Sequence, residues 1–171
     1  MEEVFRNPEI NIEELPDFET VTLHPVSVKL RTKSLVQTSL LFLIIFTAGG
    51  IFLFLNGPDI LVYIILSALF IFFSLRFADI ILKQKYYGYA LREKDIIFRQ
   101  GYITTQTTVV PFNRIQHSAI NRSLFDKVFG IASLEIYTAG GSGSDVNIPG
   151  LSPERARELN SIVSEKISED D

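Results

Sequence analysis

Residues 35–55 read LVQTSLLFLIIFTAGGIFLFL, 21 positions without a charge. An α-helix rises about 1.5 Å per residue, so this run spans about 30 Å, the thickness of a bilayer's hydrocarbon core. No other feature constrains the fold so strongly. A secretory signal would have a shorter apolar region, nearer the start, ending in a small-residue cleavage site. Here the run follows a long acidic leader and ends in Phe54-Leu55, which identifies a membrane span.

Asn56-Gly57-Pro58-Asp59 comes next. Asn and Gly suit the end of one helix, and Pro suits the first turn of another. Residues 60–75 are a second uncharged run of 16, and continuation to Leu82 gives 23 positions in which only Arg76 and Asp79 are charged. Three apart on a helix, those two are placed to pair, with Arg76 snorkelling to the headgroups as the alternative. The spacing predicts a hairpin of two transmembrane helices, about residues 35–55 and 60–82.

Lys29, Arg31 and Lys33 precede the first span, Lys83 and Lys85 follow the second, and the turn between them has no Lys or Arg. The positive-inside rule then puts both termini in the cytoplasm of a multi-pass protein in a prokaryotic inner membrane. Gly49-Gly50 permits close helix approach, without GxxxG spacing. Two such helices offer no polar path, which argues against a channel built from one copy.

The remaining charge is spread without a basic excess. Before His24 stand seven acids and one Arg, and from Tyr86 onward nine Lys/Arg face eleven Asp/Glu. That balance excludes a nucleic-acid binder. The absence of cysteine excludes disulfides, thiol catalysis and thiolate zinc sites. Residues 1–22 form an acidic leader expected to be disordered, residues 23–85 the juxtamembrane segment and hairpin, and residues 169–171 an acidic tail.

Residues 86–168 change pattern to short β-type runs bounded by turns. Tyr87, Tyr89 and Leu91 alternate with smaller or polar residues. Further strands are expected near 96–99, 102–103, 107–110, 114–120, 134–138 and 146–148, with a bend or bulge at Gln100-Gly101. Leu124, Phe125, Val128 and Phe129 predict a short helix closed by Gly130. Ser152-Pro153-Glu154 reads as a helix start, and Ala156, Leu159, Ile162, Val163 and Ile167 make one apolar stripe. The fold class is therefore a helical membrane hairpin followed by an α+β, mainly antiparallel-β domain of about seven strands with a C-terminal helix.

The run VVPFNRIQHSAINRSLFDKVFGIASLEIYTAGG, residues 109–141, resembles the signature of the YdbS-like family of bacterial pleckstrin-homology (PH) membrane proteins. Leu23-His24-Pro25 ahead of a hairpin and the segment at 91–101 extend the likeness across most of the chain. The resemblance implies a membrane-tethered PH-like domain with no known cofactor or reaction.

Arg114, Gln116 and His117 carry the shared P-x-x-R-I-Q-H motif and are the candidates for binding a membrane or membrane-associated protein. Their structural alternative is a side chain bracing a turn and a histidine packed at a strand end. Gly140-Gly141-Ser142-Gly143-Ser144-Asp145 lacks the Lys and the following helix of a phosphate loop, and reads as a hairpin connection. Lys83, Lys85, Arg92, Lys94 and Arg99 are the candidates for an alternative, the sensing of anionic lipid. Acids cancel bases at Arg92-Glu93-Lys94-Asp95, so the fold alone does not bring a phosphoinositide site. His24 and His117 stand apart from any nucleophile or metal-binding pattern. Asp126, Glu135 and Asp145 have ordinary surface contexts. The expectation is a non-enzymatic, membrane-tethered module without catalytic residues, metal or cofactor.

Overall fold

The computed structural model describes residues 21–139 and 145–169. The acidic leader to residue 20, the last two residues and the glycine-rich loop apart from Asp145 lie outside the described residues. Two long helices come first, α1 (Val28–Asn56) and α2 (Ile60–Lys83), and both are long and apolar enough to cross a membrane. Gly57 ends α1 at φ +84°, a conformation that glycine adopts without penalty, and donates its N–H to the Leu53 carbonyl at 2.9 Å. Asp59 caps α2 by accepting from the Leu61 N–H at 2.8 Å. Pro58 therefore stands one residue ahead of the cap rather than inside the first turn.

The hairpin is zipped by aromatic rings. Phe42 meets Phe73 edge-on at 5.3 Å between centroids, and Phe46 meets Phe70 at 6.3 Å. Gly49 lies against Leu66 so closely that a Cβ there would come within 2.8 Å of a leucine methyl, whereas Gly50 faces open space. The small-residue contact thus operates between the two helices of one chain.

The β elements form two antiparallel sheets. One has the order β1 (His24–Pro25), β2 (Gly88–Leu91), β3 (Asp95–Gln100), β4 (Gln106–Pro111). The other has the order β5 (Ile115–Asn121), β6 (Ala132–Thr138), β7 (Val146–Leu151). The seventh strand is β1, which lies before the hairpin and pairs His24 with Tyr89 and Pro25 with Gly88. The whole hairpin is therefore the connection between two neighbouring strands. Tyr102-Ile103, expected as a strand, falls in the loop that Gly101 opens at φ +89°.

Helix α4 (Pro153–Glu169) lays Ala156, Leu159 and Val163, each fully buried, against Ile96, Leu134, Ile136 and Ile148. Leu159 and Val163 each contribute about 1.5–3 kcal/mol on leaving water. Ile162 and Ile167 flank this stripe, half-buried. Between β5 and β6, α3 (Leu124–Phe129) begins with a capping box in which Ser123 and Asp126 satisfy each other's backbone N–H, and Gly130 ends it at φ +63°.

Hairpin and domain are tied at three points. The Ser27 N–H donates to the Gly150 carbonyl at 3.0 Å. Val26 is buried, and Leu30 packs on the same core, over Gly150, where a Cβ would come within 2.9 Å of the Leu30 Cβ. Lys33 Nζ donates to an Asp126 oxygen at 2.7 Å. Because α1 starts at Val28, seven residues before the uncharged run, its first turns belong to the domain and its remainder to the hairpin.

Candidate functional site on the outer face of the second sheet

Period-two alternation sorts β6 into an inner row, Ala132, Leu134 and Ile136, all buried, and an outer row, Ser133, Glu135 and Tyr137. β5 pairs with it so that His117 faces Tyr137, Ala119 faces Glu135 and Asn121 faces Ser133. The register slips between Ile115 and His117, which leaves Gln116 as the extra residue of a bulge. That slip re-aims the motif. Phe112 and Ile115 point into the core, while Arg114, Gln116 and His117 are exposed.

The imidazole of His117 stacks on the Tyr137 ring with centroids 4.3 Å apart and planes 11° from parallel. Tyr137 donates its hydroxyl to Glu135 at 2.9 Å, a bond that holds the phenol above its ordinary pKa. Asn121 donates to the other Glu135 oxygen at 3.2 Å. The turn at residues 112–114 is braced by backbone, the Ala139 N–H donating to the Arg114 carbonyl at 3.3 Å. Among the described residues the Arg114 guanidinium enters no ion pair. His117 is thus brought together with Tyr137, Glu135 and Asn121, which the sequence reading did not select, while Arg114 and Gln116 are exposed close by in the chain without a side-chain contact to them. Alternation alone marks Tyr137 as outward, but its stack on His117 depends on the bulge.

The basic residues considered for lipid contact are not brought together. Lys83 pairs with Asp79 at 3.0 Å, and Lys85 is exposed just past α2. Arg92 and Lys94 lie at the opposite end of β2, about 13 Å along a four-residue strand. Arg92 is clasped by both oxygens of Asp95, which hold its guanidinium pKa up. Arg99 donates to the Thr107 hydroxyl at 3.3 Å. Of the five, Lys83 and Arg92 are thus held by carboxylates and Arg99 by a neutral hydroxyl.

Outside the hairpin, Ile103, Leu124 and Val128 are the most exposed large apolar residues. All three flank its base. Tyr102 rests near Tyr86, which closes the turn after α2, and α3 is the helix that Lys33 holds. Among the described residues no group of three His, Asp or Glu is placed to hold a metal ion.

The bacterial PH domain family model matches residues 39–167, most of the chain including the hairpin. That family is generally non-catalytic. No curated protein and no solved structure matches the chain. With two antiparallel sheets, a C-terminal helix packed across them and a family match of this extent, the chain belongs to the bacterial PH domain family.

Proposed function

We propose that this protein is a non-enzymatic docking module, held at the cytoplasmic face of a prokaryotic inner membrane by its two-span hairpin, both termini in the cytoplasm. Within the bacterial PH domain family we assign it to the YdbS-like group, on the motif at residues 109–141 and the Leu23-His24-Pro25 lead-in. The docking surface is the outer face of β5 and β6, centred on His117 and Tyr137 and flanked by Arg114 and Gln116.

The observation that carries this reading is the pre-stacked His117–Tyr137 pair, with the exposed Arg114, which has no ion-pair partner among the described residues, three positions earlier in the chain. Aromatic and Arg side chains dominate the binding energy of protein interfaces, and a ring already held in place loses little entropy on docking. Position favours protein over lipid. Asn121, at the end of β5 that leads into α3, is the end tied to the hairpin through Lys33, and His117 lies four residues back, about 13 Å along the strand. β4 and β5, each an edge strand, offer backbone for strand addition by the same partner. Tethering raises the effective concentration of any partner confined to that membrane. Reading of anionic lipid by the domain surface is disfavoured by the scatter of its bases and by the pairing of Arg92 with Asp95.

Affinity purification of the full-length protein from mild detergent tests this, run beside an Arg114→Ala/His117→Ala variant whose near-ultraviolet circular dichroism matches wild type. A protein retained by wild type and lost by the variant is the expected result. Equal retention by both, or no specific partner for either, overturns the assignment of this face.

A further inference from the structure

The cytoplasmic ends of α1 and α2 do not close on each other. A cleft of about 190 Å³ lies between them, with Arg31, Arg76 and Lys83 in its wall and Ile80 and Tyr87 among its apolar lining. A second space of about 370 Å³ shares Ser34 and Arg76 with it and continues along the hairpin past Leu41, Phe72 and Phe73. Joined through those two residues, they form a groove with its cations at the domain end and, farther along the hairpin, Leu41, Phe72 and Phe73 beside the neutral polar Gln37 and Thr38.

We propose that this groove binds an anionic phospholipid, its phosphate among Arg31, Arg76 and Lys83 and one acyl chain along Leu41, Phe72 and Phe73. The proposal rests on reading the hairpin as two membrane spans. Three observations carry it. The first is level: Arg31 stands four residues before the uncharged run and Lys83 immediately follows Leu82, so these two cations sit where lipid phosphates lie, and Arg76, deeper in α2, reaches toward them by snorkelling. The second is charge. The one carboxylate beside the cleft, Asp79, is shared by Arg76 at 2.7 Å and Lys83 at 3.0 Å, and Arg31 has no ion pair among the described residues. Three cations against one acid leave an excess that a zwitterionic headgroup does not neutralise and an anionic one does. The third is shape, because a cationic pocket running into an uncharged slot with Leu41, Phe72 and Phe73 along it matches a headgroup joined to a chain. Pro149 of β7 and Tyr87 help line the polar end, so a bound headgroup would touch the domain as well as the hairpin.

The test is native mass spectrometry of the full-length protein released from mixed micelles holding equal phosphatidylglycerol and phosphatidylcholine. Phosphatidylglycerol is expected to be retained roughly tenfold over phosphatidylcholine, as basic clefts between spans favour anionic headgroups. Arg31→Gln with Lys83→Gln should abolish the preference, whereas Lys94→Gln, at the far end of β2, should leave it intact. Leu41→Trp, which fills the apolar half and keeps every charge, should lower retention of phosphatidylglycerol. Equal retention of the two lipids overturns the proposal, as does a preference that survives the double substitution. Displacement of the lipid by glycerol 3-phosphate at equal concentration would assign the cleft to free phosphate esters and overturn the acyl half. A chain that stays monodisperse without detergent overturns the hairpin reading itself, and so separates the two failures.

Discussion

Asp126 joins hairpin to domain through one carboxylate, and its replacement should cost more than any surface position. It accepts from Lys33 Nζ at 2.7 Å, from the Ser123 N–H at 2.9 Å and from the Ser123 hydroxyl at 2.6 Å. Loss of a cap costs about 1 kcal/mol and loss of a charge-assisted hydrogen bond about 1.5–3 kcal/mol. The pair's side chains are only 18% and 13% exposed, so water screens it weakly. Asp126→Ala should therefore lower stability by about 2–4 kcal/mol. Asp126→Asn, which keeps an acceptor but no charge, should cost about half as much, with a coupling of about 1 kcal/mol to Lys33→Met in a double-mutant cycle. Urea unfolding in micelles, followed by tyrosine circular dichroism, reads these values.

Acid provides an independent check. Burial alone would raise the Asp126 carboxyl, but the bonds from Lys33 and Ser123 outweigh it and hold the group below its ordinary value. A depressed folded pKa means that the contribution is complete above the unfolded value, about 3.9, and is lost as pH falls through the folded one. Wild type should therefore lose stability relative to Asp126→Asn below about pH 4. Equal stability of Asp126→Asn and wild type at neutral pH, with zero coupling to Lys33, would refute the reasoning.

Other expectations are as direct. Gly150→Val should destabilise by about 2 kcal/mol or more, because a β-branched residue resists φ +71° and a Cβ there meets the Leu30 Cβ at 2.9 Å; thermal unfolding checks it. Gly49→Phe should splay the hairpin whereas Gly50→Ala should be neutral within about 0.5 kcal/mol, read from the separation of spin labels on α1 and α2. Arg114→Ala and His117→Ala, both exposed, should each shift stability by less than about 0.5 kcal/mol, so that a lost partner is not a lost fold. Single cysteines at Ile103 and Leu124 should be quenched by lipid-borne probes in nanodiscs while one at Lys94 is not, since the first two flank the hairpin base and the third lies beyond β2.

What was legible in the sequence followed local physics. Uncharged runs gave the hairpin, apolar spacing and Gly130 gave α3, and the stripe from Ala156 to Val163 gave the buried face of α4. What was not legible depended on pairing over distance. β1 is two residues long and has no pattern of its own, and only its register with Gly88 and Tyr89 makes it a strand. Tyr102-Ile103 has strand-forming residues, but Gly101 turns the chain just before them. Lys29, Arg31 and Lys33 mark where the uncharged run is about to begin and say nothing of where α1 begins, which Ser27 and the contact with Gly150 decide. Of the candidate site, the motif was visible, but Tyr137 and the bulge that sets it under His117 were not.

On the proposed reading, the hairpin crosses the bilayer and leaves the domain in the cytoplasm. The chain has no cysteine, so single cysteines at Pro58, in the turn between the helices, and at Lys94, in the domain, can be read one at a time. A membrane-impermeant maleimide applied to spheroplasts should label position 58 at once and position 94 only after permeabilisation. Labelling of position 94 in sealed spheroplasts, with position 58 protected, would contradict the account.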